Sequence, residues 1–273
     1  PKRIKVGKNS VEDVHPPCDQ AQCSVKDIFV HSSNIGATQI VKKVGSKKQK
    51  DFLEKIGLLS TIDLELPEVG RPDYPKRWIE LSAATISYGH GIAVTPLHIV
   101  SGVNSLINGG LYTRPTLIKK NGMSDEKKRK VISYDTSMKM RYLMHLVVKG
   151  GSGKGANLSN FLVGGKTGSA DKPVIGGYSN DKLITSFVGV FPIDTPRYVL
   201  FVLLDEPQSK DKQNLLRTSG WNAVPTAKEI ISRIAPILNV YPPKKQNGSE
   251  VLTEFIKAGL SNQKNMGVKG VIE

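Results

Sequence analysis

Three apolar runs in the second half of the chain constrain its fold most: Phe161 to Gly168, Leu183 to Phe191 and Tyr198 to Leu204. The last two are separated only by a short connection carrying Asp194-Thr195-Pro196. A connection of this length has no room for a crossover, so it joins antiparallel neighbours as a hairpin. The expected fold class is α+β, with an antiparallel sheet flanked by helices.

The helices come mainly from the first half. Ile35 to Val44 has helical character and stops at Gly45, a natural C′ residue. Ser46 with Gln49 matches a capping box for a second helix, with Phe52, Leu53 and Ile56 on one face and Gly57 at its end. Thr95 suits an N-cap and Pro96 the first helical position, with Leu97, Val100, Val103 and Ile107 turned inward. Asp135 is expected to cap a further helix that buries Met140, Leu143, Met144 and Val147. A last helix runs from Ala223 to Leu238, ahead of Pro242-Pro243.

Between these, residues 1–24 read as loop or short strand. Residues 58–78 carry Pro67, Gly70, Pro72 and Pro75 and read as a long loop, a kind of segment that is often functional. The boundaries implied are 1–240 for one large domain and 241–273 for a polar tail with a short amphipathic stretch, Val251 to Leu260.

The net charge of +15 permits an anionic partner. No basic-aromatic array accompanies it, so nucleic acid is not expected. No apolar run approaches the ~20 residues of a bilayer span. The chain opens Pro-Lys-Arg-Ile-Lys, which reads as a cut or partial start with any membrane anchor upstream. Cys18 and Cys23 are compatible with a disulfide in an oxidising compartment or with two free thiols. Zinc needs more ligands than the nearby His15 supplies, so neither metal nor cofactor is expected.

Two short motifs carry candidate chemistry: Ser32-x-Asn34 and Lys166-Thr167-Gly168. Taken alone, the first reads equally as a helix cap and the second as an exposed lysine. Taken as chemistry, an ammonium and a hydroxyl on one strand can hold a carboxylate, the lysine supplying charge and the threonine direction. Glycines beside them permit close approach of a ligand backbone. A serine and an asparagine one residue apart can present a proton relay and an amide clamp.

Longer segments set these motifs in a family. Val30-His31-Ser32-Ser33-Asn34-Ile35-Gly36-Ala37, the stretch Ala84 to Leu97 with its Tyr88-Gly89-His90-Gly91, and Val163-Gly164-Gly165-Lys166-Thr167-Gly168-Ser169-Ala170 together resemble class B penicillin-binding proteins. So do Gly177-Tyr178-Ser179 and Ser186 to Pro192. The division-type (FtsI-like) branch is the most similar, and the resemblance runs from about residue 25 to about 240. S-x-N and K-T-G, with an upstream S-x-x-K, are the family's signature.

The resemblance implies the penicillin-binding-protein/β-lactamase-like transpeptidase fold, incomplete at the N-terminus. It implies a D,D-transpeptidase that cross-links peptidoglycan stem peptides in septal wall synthesis through an acyl-serine. Ser32 would take part in proton transfer, Asn34 would bind the substrate amide, and Lys166 would support the site electrostatically. Thr167 would bind the substrate carboxylate, and Gly168 and Ser169 would line that subsite. The strand would offer a backbone N–H to the oxyanion hole. Expected partners are stem peptides, β-lactams and other division proteins. The expected location is the inner membrane, with the catalytic domain on the periplasmic side.

The nucleophile is the departure. No S-x-x-K precedes Ser32. The spacing recurs downstream at Ser124/Lys127, Ser169/Lys172, Ser179/Lys182, Ser209/Lys212 and Ser261/Lys264, in the wrong order and in polar surroundings. The acylated serine is therefore expected outside this chain, which should be inactive and poorly stable alone, with an apolar sheet edge uncovered. The alternative is a degenerate, non-catalytic relative that serves as a division scaffold.

Overall fold

A computed structural model provides the fold and describes residues 3–18, 22–119, 128–159, 161–175, 177–208 and 217–242. The chain forms two compact units, Pro1–Ile28 with Ser32–Met140, and Phe29–His31 with Arg141–Glu273.

The first unit opens with a hairpin of β1 (Arg3–Val6) and β2 (Asn9–Glu12), paired antiparallel with Ile4 opposite Val11. Gly7 turns it at φ +60°, a conformation that costs glycine little. Helix α1 (Val25–His31) follows. Ser24 and Asp27 cap it reciprocally: Ser24 Oγ accepts the Asp27 N–H and Asp27 accepts the Ser24 N–H. Then come α2 (Asn34–Val44), α3 (Ser46–Lys55), α4 (Glu80–Ser87) and α5 (Pro96–Ile107). A two-residue ladder, β3 (Leu111–Tyr112) with β4 (Arg129–Lys130), and the start of α6 (Tyr134–Gly150) complete it.

A small core joins the hairpin to the helices. Val6, Val11, Ile35 and Ala84 are buried together, with Ile4, Leu81 and Tyr88 packed around them. Ala83 and Ala84 are small enough for α4 to lie close behind α2, so α4 backs the helix that carries the S-x-N motif.

The second unit holds a three-stranded antiparallel sheet in the order β5-β6-β7. The strands are β5 (Gly164–Val174), β6 (Gly177–Phe191) and β7 (Tyr198–Asp205). Helix α7 (Ala223–Ile237) buries Val224, Ala227, Ile231 and Ala235 against Phe187, Phe191 and Val202. Each large side chain fully buried here contributes about 1.5–3 kcal/mol. The outer strand β7 has no second strand partner among the described residues, and its Leu203 is 45% exposed.

Several local expectations change. The strands at β5 and β6 run far beyond the apolar runs, because a polar two-stranded arm, Ser169 to Leu183, is held by its own ladder. Lys166 is therefore near the start of a long strand, not at the end of a short one. Ser46 is the first helical residue of α3 and Gly45 takes the cap position without a side-chain bond. Gly45 both ends α2 at φ +93° and begins α3, so no separate cap fits. Ser133, not Asp135, caps α6 by accepting the Thr136 N–H at 3.1 Å. Asp135 instead pairs with Lys139 at 2.7 Å. Helix α4 has no amphipathic signature and is not evident in the sequence. Cys18 and Cys23 form a disulfide with Cα atoms 5.8 Å apart. The tail from residue 243 onward lies outside the described residues.

Candidate active site

The S-x-N segment belongs to the first unit, at the junction of two helices. Ser32 sits in the left-handed region at φ +57°. Ser33 N–H donates back to Ile28 carbonyl at 2.9 Å, the six-to-one bond of a Schellman ending for α1. Ser33 is the N-cap of α2, and its Oγ accepts the Gly36 N–H at 2.8 Å. The capping duty therefore falls on Ser33. Gly36 permits the tight junction, since a Cβ there would meet the Ile28 side chain at 2.5 Å. Asn34 donates its side-chain amide to the Glu12 carbonyl at 3.1 Å.

The K-T-G segment belongs to the second unit, on β5. Lys166 stands opposite Val188, Thr167 opposite Phe187 and Gly168 opposite Ser186. Among the described residues β5 pairs only with β6, so it is an edge strand with one row of backbone groups turned away from the sheet. A backbone N–H for an oxyanion can come from such a row.

The glycines around Lys166 have specific reasons. A Cβ on Gly165 would lie 2.2 Å from Phe187 Cζ and 2.7 Å from the Val188 carbonyl oxygen. A Cβ on Gly168 would lie 2.6 Å from Ser186 Oγ. Gly165 thus admits the Phe187 ring beneath the strand, and that ring is fully buried.

Lys166 is drawn into low dielectric. Its Nζ donates to the Thr167 carbonyl at 3.2 Å and stands 5.9 Å from the centre of the Phe29 ring. Burial disfavours the charged form and brings its pKa down to about 8. Thr167 Oγ1 lies 2.7 Å from Ser152 Oγ, within hydrogen-bond range. Ser152 follows α6 in the run Gly151-Ser152-Gly153, and its N–H reaches the Val30 carbonyl at 3.4 Å. A Cβ on Gly151 would lie 2.7 Å from that same carbonyl oxygen. Ser152 joins the candidate site through its contact with Thr167, and sequence reasoning missed it. The only signal was a serine among glycines, which reads as loop.

Ser169 is engaged differently. Its Oγ accepts the Ser219 N–H at 3.0 Å, fixing the single 3₁₀ turn Ser219–Trp221 against β5. The turn leads into α7, where Asn222 Oδ1 takes the Thr185 hydroxyl proton at 2.8 Å.

Two downstream S-x-x-K pairs that can be described are not nucleophile–base pairs. Ser169 is opposite Thr185 in the regular ladder, whereas Lys172 falls at the register shift between Asp171 and Pro173. Lys172 is instead ion-paired with Asp205 at 2.9 Å and Glu206 at 2.8 Å. Those bonds hold its pKa above the ordinary lysine value. Ser179 Oγ accepts the Lys182 N–H at 3.2 Å, a local backbone bond. Ser124, Ser209 and Ser261 lie outside the described residues.

Residues 2–232 match the model of the penicillin binding protein transpeptidase domain. The chain belongs to that family. The FtsI-type probable peptidoglycan D,D-transpeptidase of Caulobacter vibrioides is 36% identical over 247 residues, covering 86% of this chain and 41% of the relative. Stage V sporulation protein D of Bacillus subtilis is 30% identical, covering 81% of this chain and 35% of that protein. This transpeptidase-family chain thus spans well under half the length of both relatives. Among solved structures, the transpeptidase domain of Burkholderia pseudomallei penicillin-binding protein 3 superposes with a TM-score of 0.80 at 27% identity, covering 89% of this chain and 72% of that one. Penicillin-binding protein 3 from Mycobacterium tuberculosis, complexed with ampicillin, gives 0.77 at 25% identity, covering 90% and 57%. The transpeptidase fold and the division-type resemblance read from the sequence both hold. Among the described residues no helix is long and apolar enough to cross a membrane.

Proposed function

We propose that this chain supplies the proton-relay and carboxylate-binding parts of a division-type peptidoglycan D,D-transpeptidase. The observation that carries the proposal lies at edge strand β5, where Thr167 Oγ1 meets Ser152 Oγ at 2.7 Å and the preceding Lys166, its pKa lowered by burial, sets its Nζ on the Thr167 carbonyl. Such a cluster suits the terminal carboxylate of a stem peptide or the carboxylate of a β-lactam. Lys166 supplies charge, and Thr167 supplies a hydrogen bond whose direction Ser152 sets. Ser32 relays the proton and Asn34 binds the peptide amide.

In this reading the acylated serine lies in an S-x-x-K outside these residues, and its hydroxyl attacks the penultimate D-alanine carbonyl. The bond to the terminal D-alanine breaks, and that residue leaves with the relayed proton. A second stem-peptide amine then takes the acyl group and frees the serine. The Cys18–Cys23 disulfide fits an oxidising compartment, in keeping with a catalytic domain on the periplasmic face of an anchored protein.

Labelling with a fluorescent penicillin tests the proposal. The gene product carrying this chain together with an upstream S-x-x-K is expected to take one label per molecule, on the serine of that motif. The 273-residue chain alone is expected to take none. A stoichiometric serine-linked adduct on the chain alone overturns the placement of the nucleophile. No label on either favours the non-catalytic scaffold.

A further inference from the structure

Asp13 belongs to none of the motifs, yet its carboxylate is the hub of the Ser32–Asn34 turn. It follows directly on β2, which ends at Glu12. Its Oδ2 accepts the Ser33 hydroxyl proton at 2.7 Å and its Oδ1 accepts the Ile35 N–H at 3.0 Å. The Glu12 carbonyl beside it takes the Asn34 amide. Two consecutive hairpin residues thus grip three consecutive residues of the motif segment.

The grip is firm because the hairpin is anchored. Val6 and Val11 are buried with Ile35 and Ala84. Asp13 also meets the positive end of α2, and bonds to a charged acceptor are roughly twice as strong as neutral ones.

Ser32 needs such a frame. A left-handed backbone is unfavourable for a residue with a Cβ and persists where its surroundings over-determine it. Here Ser33 is held on one side by Ile28 and on the other by Asp13.

We infer that Asp13 is a positioning residue for Ser32 and Asn34. It acts through Ser33 and the Ile35 backbone and touches no substrate. The kinetic consequence rests on the proposed function; the geometric one does not.

The test uses the gene product that carries this chain, unaltered and as Asp13→Asn, Ser33→Ala and the double variant. Asp13→Asn keeps the size of the side chain but replaces one acceptor oxygen with a donor. Hydrogen exchange in the peptide Ser33 to Thr38 is expected to quicken about tenfold in Asp13→Asn, with α5 and β6 unchanged. Acylation by penicillin is expected to slow about tenfold with the melting temperature held within a few degrees. The double variant should lose less than the sum of the singles, because both substitutions break the Ser33–Asp13 bond while only Ser33→Ala removes the Gly36 cap and only Asp13→Asn disturbs the Ile35 bond. Unchanged exchange at Ser33 to Thr38 overturns the inference, as does an undiminished acylation rate or additive losses. If the unaltered protein takes no penicillin, the transpeptidase reading fails, and the exchange measurement still decides the positioning.

Discussion

Ser152 Oγ and Thr167 Oγ1 lie 2.7 Å apart, tying the loop after α6 to the K-T-G strand. Either hydroxyl can donate in this contact, and when Ser152 donates, the Thr167 proton is left to point at a carboxylate. In the gene product that carries this chain with the S-x-x-K serine, Ser152→Ala is expected to weaken β-lactam acylation about two- to tenfold, the worth of a neutral hydrogen bond of about 0.5–1.5 kcal/mol. Ser152→Thr keeps the hydroxyl and should restore most of it. In a Thr167→Val background Ser152→Ala should do nothing more. A further loss there would mean that Ser152 acts independently of Thr167.

Gly165 gives a stability prediction. A methyl group there overlaps the Phe187 ring and the Val188 carbonyl, neither of which has room to move in a filled core. Gly165→Ala is expected to lower unfolding free energy by about 1–3 kcal/mol, the usual effect of overpacking. Urea denaturation measures it. Phe187→Leu should relieve part of the clash, so the double variant should lose less than the sum of the singles. Strict additivity would show that the ring and the glycine do not meet.

The sequence exposed the parts of this fold that obey a period or a punctuation rule. Thr95-Pro96 began α5 as read, with Thr95 accepting the His98 N–H and a capping box completed by the His98 ring. The hairpin at Asp194-Thr195-Pro196 was equally plain, because apolar strands flank it. What stayed hidden was tertiary in origin. The polar arm of β5 and β6 is stabilised by its ladder and not by burial, so no alternation marks it. Helix α4 is legible only once α2 lies against Ala83 and Ala84. Of the site, Lys166 and Thr167 were visible through their glycines. Ser152 and Asp13 were not, because each matters through a partner far away in sequence.

Lys166 predicts a pH dependence. Its folded pKa of about 8 lies below the ~10.4 of an unfolded lysine. Between those values the unfolded chain holds the extra proton, so this group makes stability rise with pH from about 8 to about 10. Function runs the other way. Carboxylate binding that needs the ammonium should fall as pH passes about 8, giving acylation a basic limb there. A bound carboxylate opposes the burial effect and should move that limb upward in the complex. Lys166→Arg stays charged and should lose the limb, even with a lower rate from its different geometry. A limb that persists unchanged in Lys166→Arg would assign it to another group.

Glu65 predicts the behaviour in acid. Its carboxylate takes the Thr116 hydroxyl proton at 2.5 Å and the Leu117 N–H at 3.0 Å, with the Arg114 guanidinium nearby. These bonds hold its pKa at about 2, led by the Thr116 hydroxyl. An unfolded glutamate titrates near ~4.3. The folded pKa is depressed, so the stabilisation is fully present above about pH 4 and is lost as pH falls toward about 2. Because the group is solvent-exposed the effect is modest and should shrink with salt. It pins the long 58–78 loop to residues 116–117, beside the Arg114–Asp63 pair at 2.9 Å. Glu65→Gln should therefore melt lower than the unaltered chain by a constant margin above pH 5, and the margin should close between pH 4 and pH 2. Thr116→Ala removes the leading donor and should narrow that margin at neutral pH. A margin that stays the same down to pH 2 would show that the Glu65 carboxylate does not stabilise this loop.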